Sequence, residues 1–520
     1  MPWSGPSPNP RSALAELVSD RAERYFSVRP TVNTDPSADR RPRPSLLRNW
    51  LTLTGLALAL GALFSFLLLF LVDTMAHFSN PYVGILTYLV APAFLIFGLV
   101  LALLGVLRTR WRLGKAAGAL LPKVVLDFSN PRDRRNLGFF LTGTVLFLLL
   151  SAIGSYQTYH FTESTQFCGQ ACHTVMKPEL VTYQQGPHAR VGCVECHIGP
   201  GATWFVKSKL SGTYQVYATA FNKFPRPIPT PIKNLRPARE TCEQCHWPEK
   251  FSGNLERTYP YFLGDETNTP FTVRMLMKVG GGRPEHGPVS GIHWHVANKV
   301  EYYASDAARQ TIPYIRVTDN EGKVTEYRTA RFTNNVTPAE LRTMDCMDCH
   351  NRPAHRYQTP SDAVNLALSQ GRIDPTLPYL KTNALYVLTL SYTNETEALA
   401  SIAAILTDRY PGEPRIQPAI RTLQSIYQHS FFPEMKANWS VYPDNLGHME
   451  WPGCFRCHDG SHKTADGSRS VKASDCNACH TILAQGHGPE LDQLTPSGQP
   501  FKHPGGDIDG ACNDCHTGGL

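Results

Sequence analysis

Three observations predict a mainly α fold, anchored in a membrane by three helices and continuing into a region with little regular secondary structure. The first is a set of three apolar runs, Leu51–Val72, Val83–Leu107 and Leu137–Tyr159, separated by polar loops. About 20 such residues are needed to cross a bilayer. The second is that all 14 cysteines fall in pairs followed at once by histidine. The third is that the last three pairs crowd into Cys454–His516, which leaves little room for an ordinary hydrophobic core.

Taken in order, residues 1–45 are rich in Pro, Ser and Arg and read as a cytoplasmic disordered tail, with one short helical stretch over Ala13–Ser19. Residues 46–160 form the membrane domain. Its first run carries no charge and is followed by no small-residue cleavage site, so it is a span and not a signal peptide. Pro92 is expected to kink the second span, a break that neighbouring helices tolerate. Arg40, Arg41, Arg43 and Arg48 precede the first span, and Asp73–Tyr82 holds no Lys or Arg. Arg108, Arg110, Arg112, Lys115, Lys123, Arg132, Arg134 and Arg135 lie between the second and third. Positive loops stay inside, so everything after Tyr159 lies outside.

Charge follows the same division. Residues 1–136 hold 16 Lys+Arg against 8 Asp+Glu, and the remainder holds 34 against 35. The net +7 therefore belongs to the membrane-proximal part and sets topology; it does not indicate nucleic acid.

Six cysteine pairs read C-x-x-C-H: Cys193/Cys196/His197, Cys242/Cys245/His246, Cys346/Cys349/His350, Cys454/Cys457/His458, Cys476/Cys479/His480 and Cys512/Cys515/His516. The first pair in the chain, Cys168/Cys172/His173, has one extra residue between the thiols. This is the attachment signature of haem c: two thiols add to the two vinyl groups of one porphyrin and the adjacent His takes an axial position on iron. Structural zinc needs cysteine pairs in twos and does not explain a His at the same offset each time. Seven covalent haems are expected, on the outer side of the membrane where such attachment takes place in bacteria. The outer region is thus haem-packed, and its first three motifs occupy residues 161–250.

Between the third and fourth motifs, residues 251–345 read as a small β insertion. Phe271–Val279 is β-prone, Ile292–Val296 alternates so that His293 and His295 share one strand face, and Tyr314–Thr318 and Lys323–Tyr327 flank a turn. Residues 346–450 hold the fourth motif and helices over Ser361–Gln370, Ala384–Arg409 and Ala419–His429, the first starting at Ser361-Asp362. Residues 451–520 hold the last three motifs. Gly199–Phe221 mixes aromatic and basic residues in a pattern suited to a membrane surface, and Phe224–Pro237 is a Pro-dense extended connector.

Of the 19 histidines, 12 lie outside the motifs, enough to make most of the irons bis-His and closed to substrate. The best distal candidates are His188, His355, His448, His462 and His487. Of His293 and His295, one is expected to ligate and the other to stand by. Met176, three residues after His173, is a candidate ligand of the first iron.

FCGQACHTVMKPEL after an apolar run, followed by GPHARVGCVECHIGPGA, resembles the NapC/NirT/NrfH quinol dehydrogenases of bacterial inner membranes over roughly residues 137–246. The three spans, seven motifs, CMDCHNRPAH and GHMEWPGCFRCHDGSH resemble the heptahaem inner-membrane cytochromes c of metal-respiring bacteria, the ImcH type. The resemblance implies oxidation of a quinol, menaquinol or ubiquinol, beside the first haem and delivery of electrons to periplasmic cytochromes c or a reductase. It further implies that Met176 ligates the first iron and that Lys207 or Lys209 lines the quinol pocket together with an acidic residue. Glu163, His160, Asp73 and His77 are further neighbours by topology. The first motif departs from the family pattern by one residue between the thiols and one between His and Met. Two other readings compete: a terminal reductase of nitrite or a sulfur oxyanion, and an electron-relay subunit without quinol chemistry.

Overall fold

The computed structural model describes residues 49–76, 86, 90–113, 128–171, 173–232, 235–281, 289–319, 321–472, 476–504 and 506. The chain divides into two compact units, Met1–Leu60 with Phe94–Phe140 and Gly61–Ala93 with Leu141–Leu520. The expected tail, residues 1–45, lies outside the described residues.

Residues 50–60 of helix α1 (Trp50–Ala76) and 94–113 of helix α2 (Ala91–Leu113) belong to the first unit and pack there through small residues. A Cβ on Gly55 would lie 2.3 Å from the Ala102 nitrogen, and one on Gly98 would lie 2.6 Å from the Ala59 nitrogen. Backbones this close need glycine at the contact, the usual device where no hydrophobic force draws helices together in lipid. The Asn49 side-chain amide donates to the Gly105 carbonyl and to Thr109 Oγ1, both at 3.2 Å. Outward-facing Leu53, Leu60, Ile96, Phe97 and Leu103 remain exposed, as a lipid-facing surface requires. Among the described residues two helical segments are long and apolar enough to cross a membrane, Trp50–Leu71 and Ala91–Arg112. The expected start of the second span, Val83, lies outside the described residues. Pro92 is the second residue of α2, and Val90, just before the helix, is in a π-helical conformation. The third run lies within α3 (Pro131–Glu163), a helix of 33 residues.

In the second unit, a π-helical turn, Phe167–Ala171, leads into α4 (His173–Gln185). The wider π turn takes in one residue more than an α turn, where the first motif has its extra residue. Gly169 sits against Leu180, which a Cβ would meet at 2.6 Å. Short α5 (Cys193–His197), long α6 (Ala202–Ala220) and short α7 (Ala238–Cys242) follow.

Strands β1 (Leu255–Phe262) and β2 (Pro270–Met277) form an antiparallel hairpin. Its third strand is β7 (His480–Gly486), which begins at the histidine of the sixth motif and pairs with β2 so that Met277 faces His480. Residues 251–345 are therefore not a self-contained insertion. A second antiparallel sheet runs in the order β5-β4-β3-β6, with β3 Lys299–Tyr303, β4 Tyr314–Thr318, β5 Val324–Arg328 and β6 Arg342–Thr343. The Asp319 carboxylate closes the β4–β5 turn by accepting from the Glu321 and Lys323 amides at 3.0 and 2.9 Å.

Ile292–Val296, expected as a strand, is a turn leading into the single helical turn α8 (Trp294–Ala297). Gly291 adopts φ 78° and lies so close to the Lys278 carbonyl that a Cβ would stand 2.5 Å from it. The Ile292 amide donates to the same carbonyl, and the chain bends before a ladder can form.

Beyond short α9 (Cys346–Cys349), four helices enclose an apolar core: α10 (Pro360–Ser369), α11 (Leu380–Thr389), α12 (Glu395–Arg409) and α13 (Ile416–Ser430). Val364, Leu377, Leu380, Ile402, Leu406 and Leu423 are fully buried there, each worth about 1.5–3 kcal/mol of transfer from water. Thr359 caps α10, so its start precedes Ser361-Asp362. The single helix expected over Ala384–Arg409 is two, because the Asn394 side chain accepts from the Glu397 amide at 2.9 Å and starts α12 afresh.

Candidate metal centres

The second to sixth motifs each have their first cysteine in a short helical turn, and where the turn also holds the second, thiols three residues apart fall on one side. Among the described cysteines none is in a disulfide. In the second and fourth motifs both thiols lie within the helical turn itself, Cys193 with Cys196 and Cys346 with Cys349.

Elsewhere the second of the expected attachment thiols departs from that placement, because the helix ends first. Cys245 is exposed, in the turn beyond α7. Its amide donates to the Cys242 carbonyl at 3.2 Å and that of His246 to the same carbonyl at 2.8 Å, so the chain keeps curling through the third motif. Burial raises the Cys196 thiol, and Cys245 is near enough to add to the rise. Cys479 is half-buried, one residue past the 3-10 turn Cys476–Ala478. Its carbonyl accepts from the Lys278 amide at 2.8 Å, which ties the sixth motif to the end of β2 and draws the chain into β7 at the next residue. Cys457 likewise follows the 3-10 turn that holds Cys454.

The fourth motif is the most firmly held. The Asp345 carboxylate caps it by accepting from the Met347 amide, and that of Asp348 accepts from the Asp345 amide at 2.8 Å. Asp348, 2% exposed, also accepts from Tyr302 Oη at 2.5 Å and from Arg309 and Arg342 at 3.0 Å. The pattern D-x-x-D just ahead of the second Cys was a readable capping signal for this anchor.

Neighbouring motifs touch. The Cys168 thiol lies against that of Cys193, and the Cys242 thiol against that of Cys346. Arg456, inside the fifth motif, donates to the carbonyls of Asp348 at 2.6 Å and Arg309 at 2.8 Å. Burial pushes the Cys349 and Cys457 thiols up to about 12. Burial also pushes the His197, His295, His350, His458 and His480 imidazoles below their ordinary range, favouring the neutral ring.

Five motif histidines each face one histidine from outside the motifs. Ring centroids are 6.2 Å apart for His197 and His355, 6.0 Å for His246 and His188, and 6.5 Å for His350 and His293. They are 5.8 Å apart for His458 and His295, and 6.1 Å for His480 and His448. Two imidazoles on opposite sides of one metal stand about 6.3 Å apart, from a metal–nitrogen bond of about 2.0–2.1 Å and about 1.1 Å from nitrogen to ring centre on each side. The spacing suits a ring-bound iron between each pair. Ring planes turn freely about such bonds, so interplanar angles from 8° to 85° are all compatible.

Four of the non-motif rings are also oriented for this. Nδ1 of His188 meets the Pro353 carbonyl at 3.0 Å, and that of His355 the Glu179 carbonyl at 2.8 Å. Nδ1 of His293 meets the Val279 carbonyl at 3.0 Å, and that of His295 the Ile292 carbonyl at 2.9 Å. A carbonyl only accepts, so Nδ1 carries the proton and the Nε2 lone pair is left to bind metal.

The other candidates are placed differently. His462 is 1% exposed, with Nε2 2.6 Å from the Ile312 carbonyl and Nδ1 3.1 Å from Asp459 Oδ1. Both ring nitrogens are thus spent within the protein. His487 is exposed beside Glu490 and faces no other described histidine. Met176 is half-buried in α4, one turn from His173. Lys209 leans over the Phe205 ring with Glu163 and Cys168 close enough to act on its charge, and burial pulls its ammonium below the usual lysine range. Lys207 is exposed and covers the Trp204 ring instead. His160 is exposed at the end of α3, edge-on to Tyr156. Cys172, His77, Cys512, Cys515 and His516 lie outside the described residues, as do the side chains of Asp73, His173 and Cys476.

Sequence spacing singled out the non-motif rings without their partners. It missed the Asp348 cluster and Arg456, which hold two motifs together.

Residues 130–227 match the N-terminal region of the NapC/NirT cytochrome c family. The chain is 41% identical over 497 residues to the cytochrome c-type protein ImcH of Geobacter sulfurreducens, covering 92% of this chain and 96% of that protein. No solved structure matches. Paired thiols beside histidines, an apolar anchor and this kinship agree on a membrane-anchored cytochrome c that carries covalent haem and transfers electrons. The chain belongs to the family of ImcH, cytochromes c with a NapC/NirT N-terminal region.

Proposed function

We propose that this protein is an inner-membrane quinol dehydrogenase, which oxidises a quinol, menaquinol before ubiquinol, at the outer face and passes the electrons through seven c-type haems to periplasmic cytochromes c or a reductase. The N-terminus is cytoplasmic and the haem region periplasmic, with α3 as the third span. The observation that carries the reading is the meeting of Lys209 and Glu163 beside Cys168, at the end of a long apolar helix.

Quinol oxidation releases two protons and two electrons. Glu163 accepts a proton from the quinol hydroxyl, and Lys209 orients the ring oxygen by donating to it. Burial of Lys209 keeps this pair out of bulk water, where its charge would be screened. His160, one turn earlier on α3, lies on the route by which protons leave. The exposed apolar residues of α6, Val206, Leu210, Tyr214 and Tyr217, suit a helix lying in the lipid headgroup layer over the site.

Haem c supplies one-electron chemistry when bound. The thiols of each motif, Cys245 and Cys479 included, would hold a porphyrin, and in the third motif the Cys245 amide donates to the Cys242 carbonyl and keeps the chain curling beyond α7. His197, His246, His350, His458 and His480, each facing one of His355, His188, His293, His295 and His448, are the residues that would hold the irons. Filled axial positions suit electron transfer and oppose the terminal-reductase reading at these five centres. At the first motif, either His173 or Met176, three residues apart in α4, would bind the iron.

The test is mixing of the purified holoprotein with a menaquinol analogue while haem absorbance is followed. Reduction is expected, slowed at least tenfold by Glu163→Gln or Lys209→Met, with dithionite reduction unchanged. No reduction by any quinol refutes the reading.

A further inference from the structure

We propose that His293 and His295 are both axial ligands, on two different irons: His293 opposite His350 on the fourth haem, and His295 opposite His458 on the fifth. One segment of five residues, Ile292–Val296, would then ligate two neighbouring centres at once. The inference rests on the haem-ligation part of the proposed function and not on the quinol chemistry.

Geometry separates the two rings. A strand would have pointed both to one face, but in a helical turn each residue advances about 100°, so residues two apart point nearly opposite ways. The rings reach two different motif histidines, with centroids 6.5 Å from His350 and 5.8 Å from His458. Each Nδ1 donates to a main-chain carbonyl, Val279 for His293 and Ile292 for His295. Each Nε2 lone pair is therefore available for a coordination bond to iron, with no proton to displace. A bystander histidine would not need its tautomer set in this way, and two adjacent rings share the arrangement.

The segment is braced from three sides. Phe251 packs on the His293 ring at 4.6 Å. Trp294 meets His295 edge-on at 5.7 Å and packs into the cluster of Val300, Tyr302 and Ile315, which Cys457 also joins. Arg239, at the third motif, donates to the Val296 carbonyl at 3.0 Å. The fourth and fifth motifs are independently tied by Arg456 on the Asp348 carbonyl. The two centres that the segment would serve are thus already held together by their own motifs.

The test counts carbon monoxide bound per dithionite-reduced holoprotein, since a lost distal ligand opens one iron to the gas. Relative to the unsubstituted protein, His293→Ala and His295→Ala should each add one binding equivalent and the double variant two. Each should show a new high-spin signal in electron paramagnetic resonance of the oxidised protein. Trp294→Phe should add none. If either single variant adds none, or the double adds only one, the inference is overturned. His188→Ala serves as the control for the broader ligation reading. If it too adds none, the bis-His reading fails as a whole, whereas a gain there with none at His295 refutes only the shared segment. Should an alanine variant fail to accumulate, His293→Met and His295→Met keep a ligand and must each gain a thioether-to-iron band in the far red; a spectrum without that band is equally fatal. Quinol plays no part in these measurements, so the outcome does not depend on it.

Discussion

Replacing His462 with Leu separates a structural histidine from a ligand. The ring is 1% exposed, and its Nε2 lies 2.6 Å from the Ile312 carbonyl, in a residue that is itself 4% exposed. Leu fills most of the volume but leaves that carbonyl without this donor, at a cost of about 1–3 kcal/mol. The second bond, to Asp459, is worth less. That carboxylate is 25% exposed and keeps the Ser461 amide and hydroxyl at 2.9 and 2.6 Å, so its loss is at most about 1 kcal/mol. Together they give about 2–3 kcal/mol, or roughly thirty- to a hundred-and-fiftyfold in the folding equilibrium. The assay is denaturant unfolding of the holoprotein, compared by midpoint because a chain of this size with covalent cofactors need not be two-state. A lower midpoint is expected, with unchanged carbon monoxide binding and no new high-spin signal. An additional gas-binding iron in His462→Leu would make this residue a ligand and refute the reasoning.

Lys209→Met should lower kcat/KM for quinol about ten- to a hundredfold, while Lys207→Met, on an exposed side chain over Trp204, should stay within about twofold in the same assay. Asp348→Asn removes the charge that Arg309 and Arg342 share. Breaking a buried pair costs about 3–5 kcal/mol, and since these arginines are 24% and 34% exposed about 2–3 kcal/mol is expected, read as a lower unfolding midpoint. Gly98→Leu, whose Cβ would stand 2.6 Å from the Ala59 nitrogen, should force the first two helices apart and lower the aggregation temperature in detergent. Hydrogen bonds from Arg415 hold the Glu413 carboxyl at about 2, below its ordinary 4.5. A depressed acid stabilises above its unfolded pKa and loses that contribution as pH falls through the folded one. Glu413→Gln should therefore lower the melting temperature slightly at pH 6 and not at pH 2, and salt should shrink the difference.

Much of the fold was readable because it rests on local signals. The apolar runs gave α1 and the body of α2 and α3, and Tyr314–Thr318 and the turn at Asp319 gave the β4–β5 hairpin. Errors arose where one polar side chain outweighs periodicity. Asn394 divides a helix whose apolar pattern runs on. The pairing of His480–Gly486 with β2 had no local signal at all, since a strand's partner is chosen by long-range packing. That pairing also takes Cys479 out of the helical turn, although its motif reads the same as the others.

The site divides along the same line. Thiol pairs followed by His are local chemistry, legible wherever they occur, whereas which distal ring serves which iron is a matter of contacts between distant segments. Ile292–Val296 shows what was lost. Alternation of Ile292, Trp294 and Val296 with two histidines has a period of two, and that pattern alone argues for a strand with one ligand and one bystander. The competing signal was Gly291, which permits the positive φ that carries the chain past Lys278. Once the backbone turns, the same residues send two rings in opposite directions. The apolar residue between them is then not part of a strand's buried face but Trp294, packed into the cluster that Cys457 joins. A spacing of two, which as a strand would make one histidine redundant, becomes in a helical turn a reason to need both.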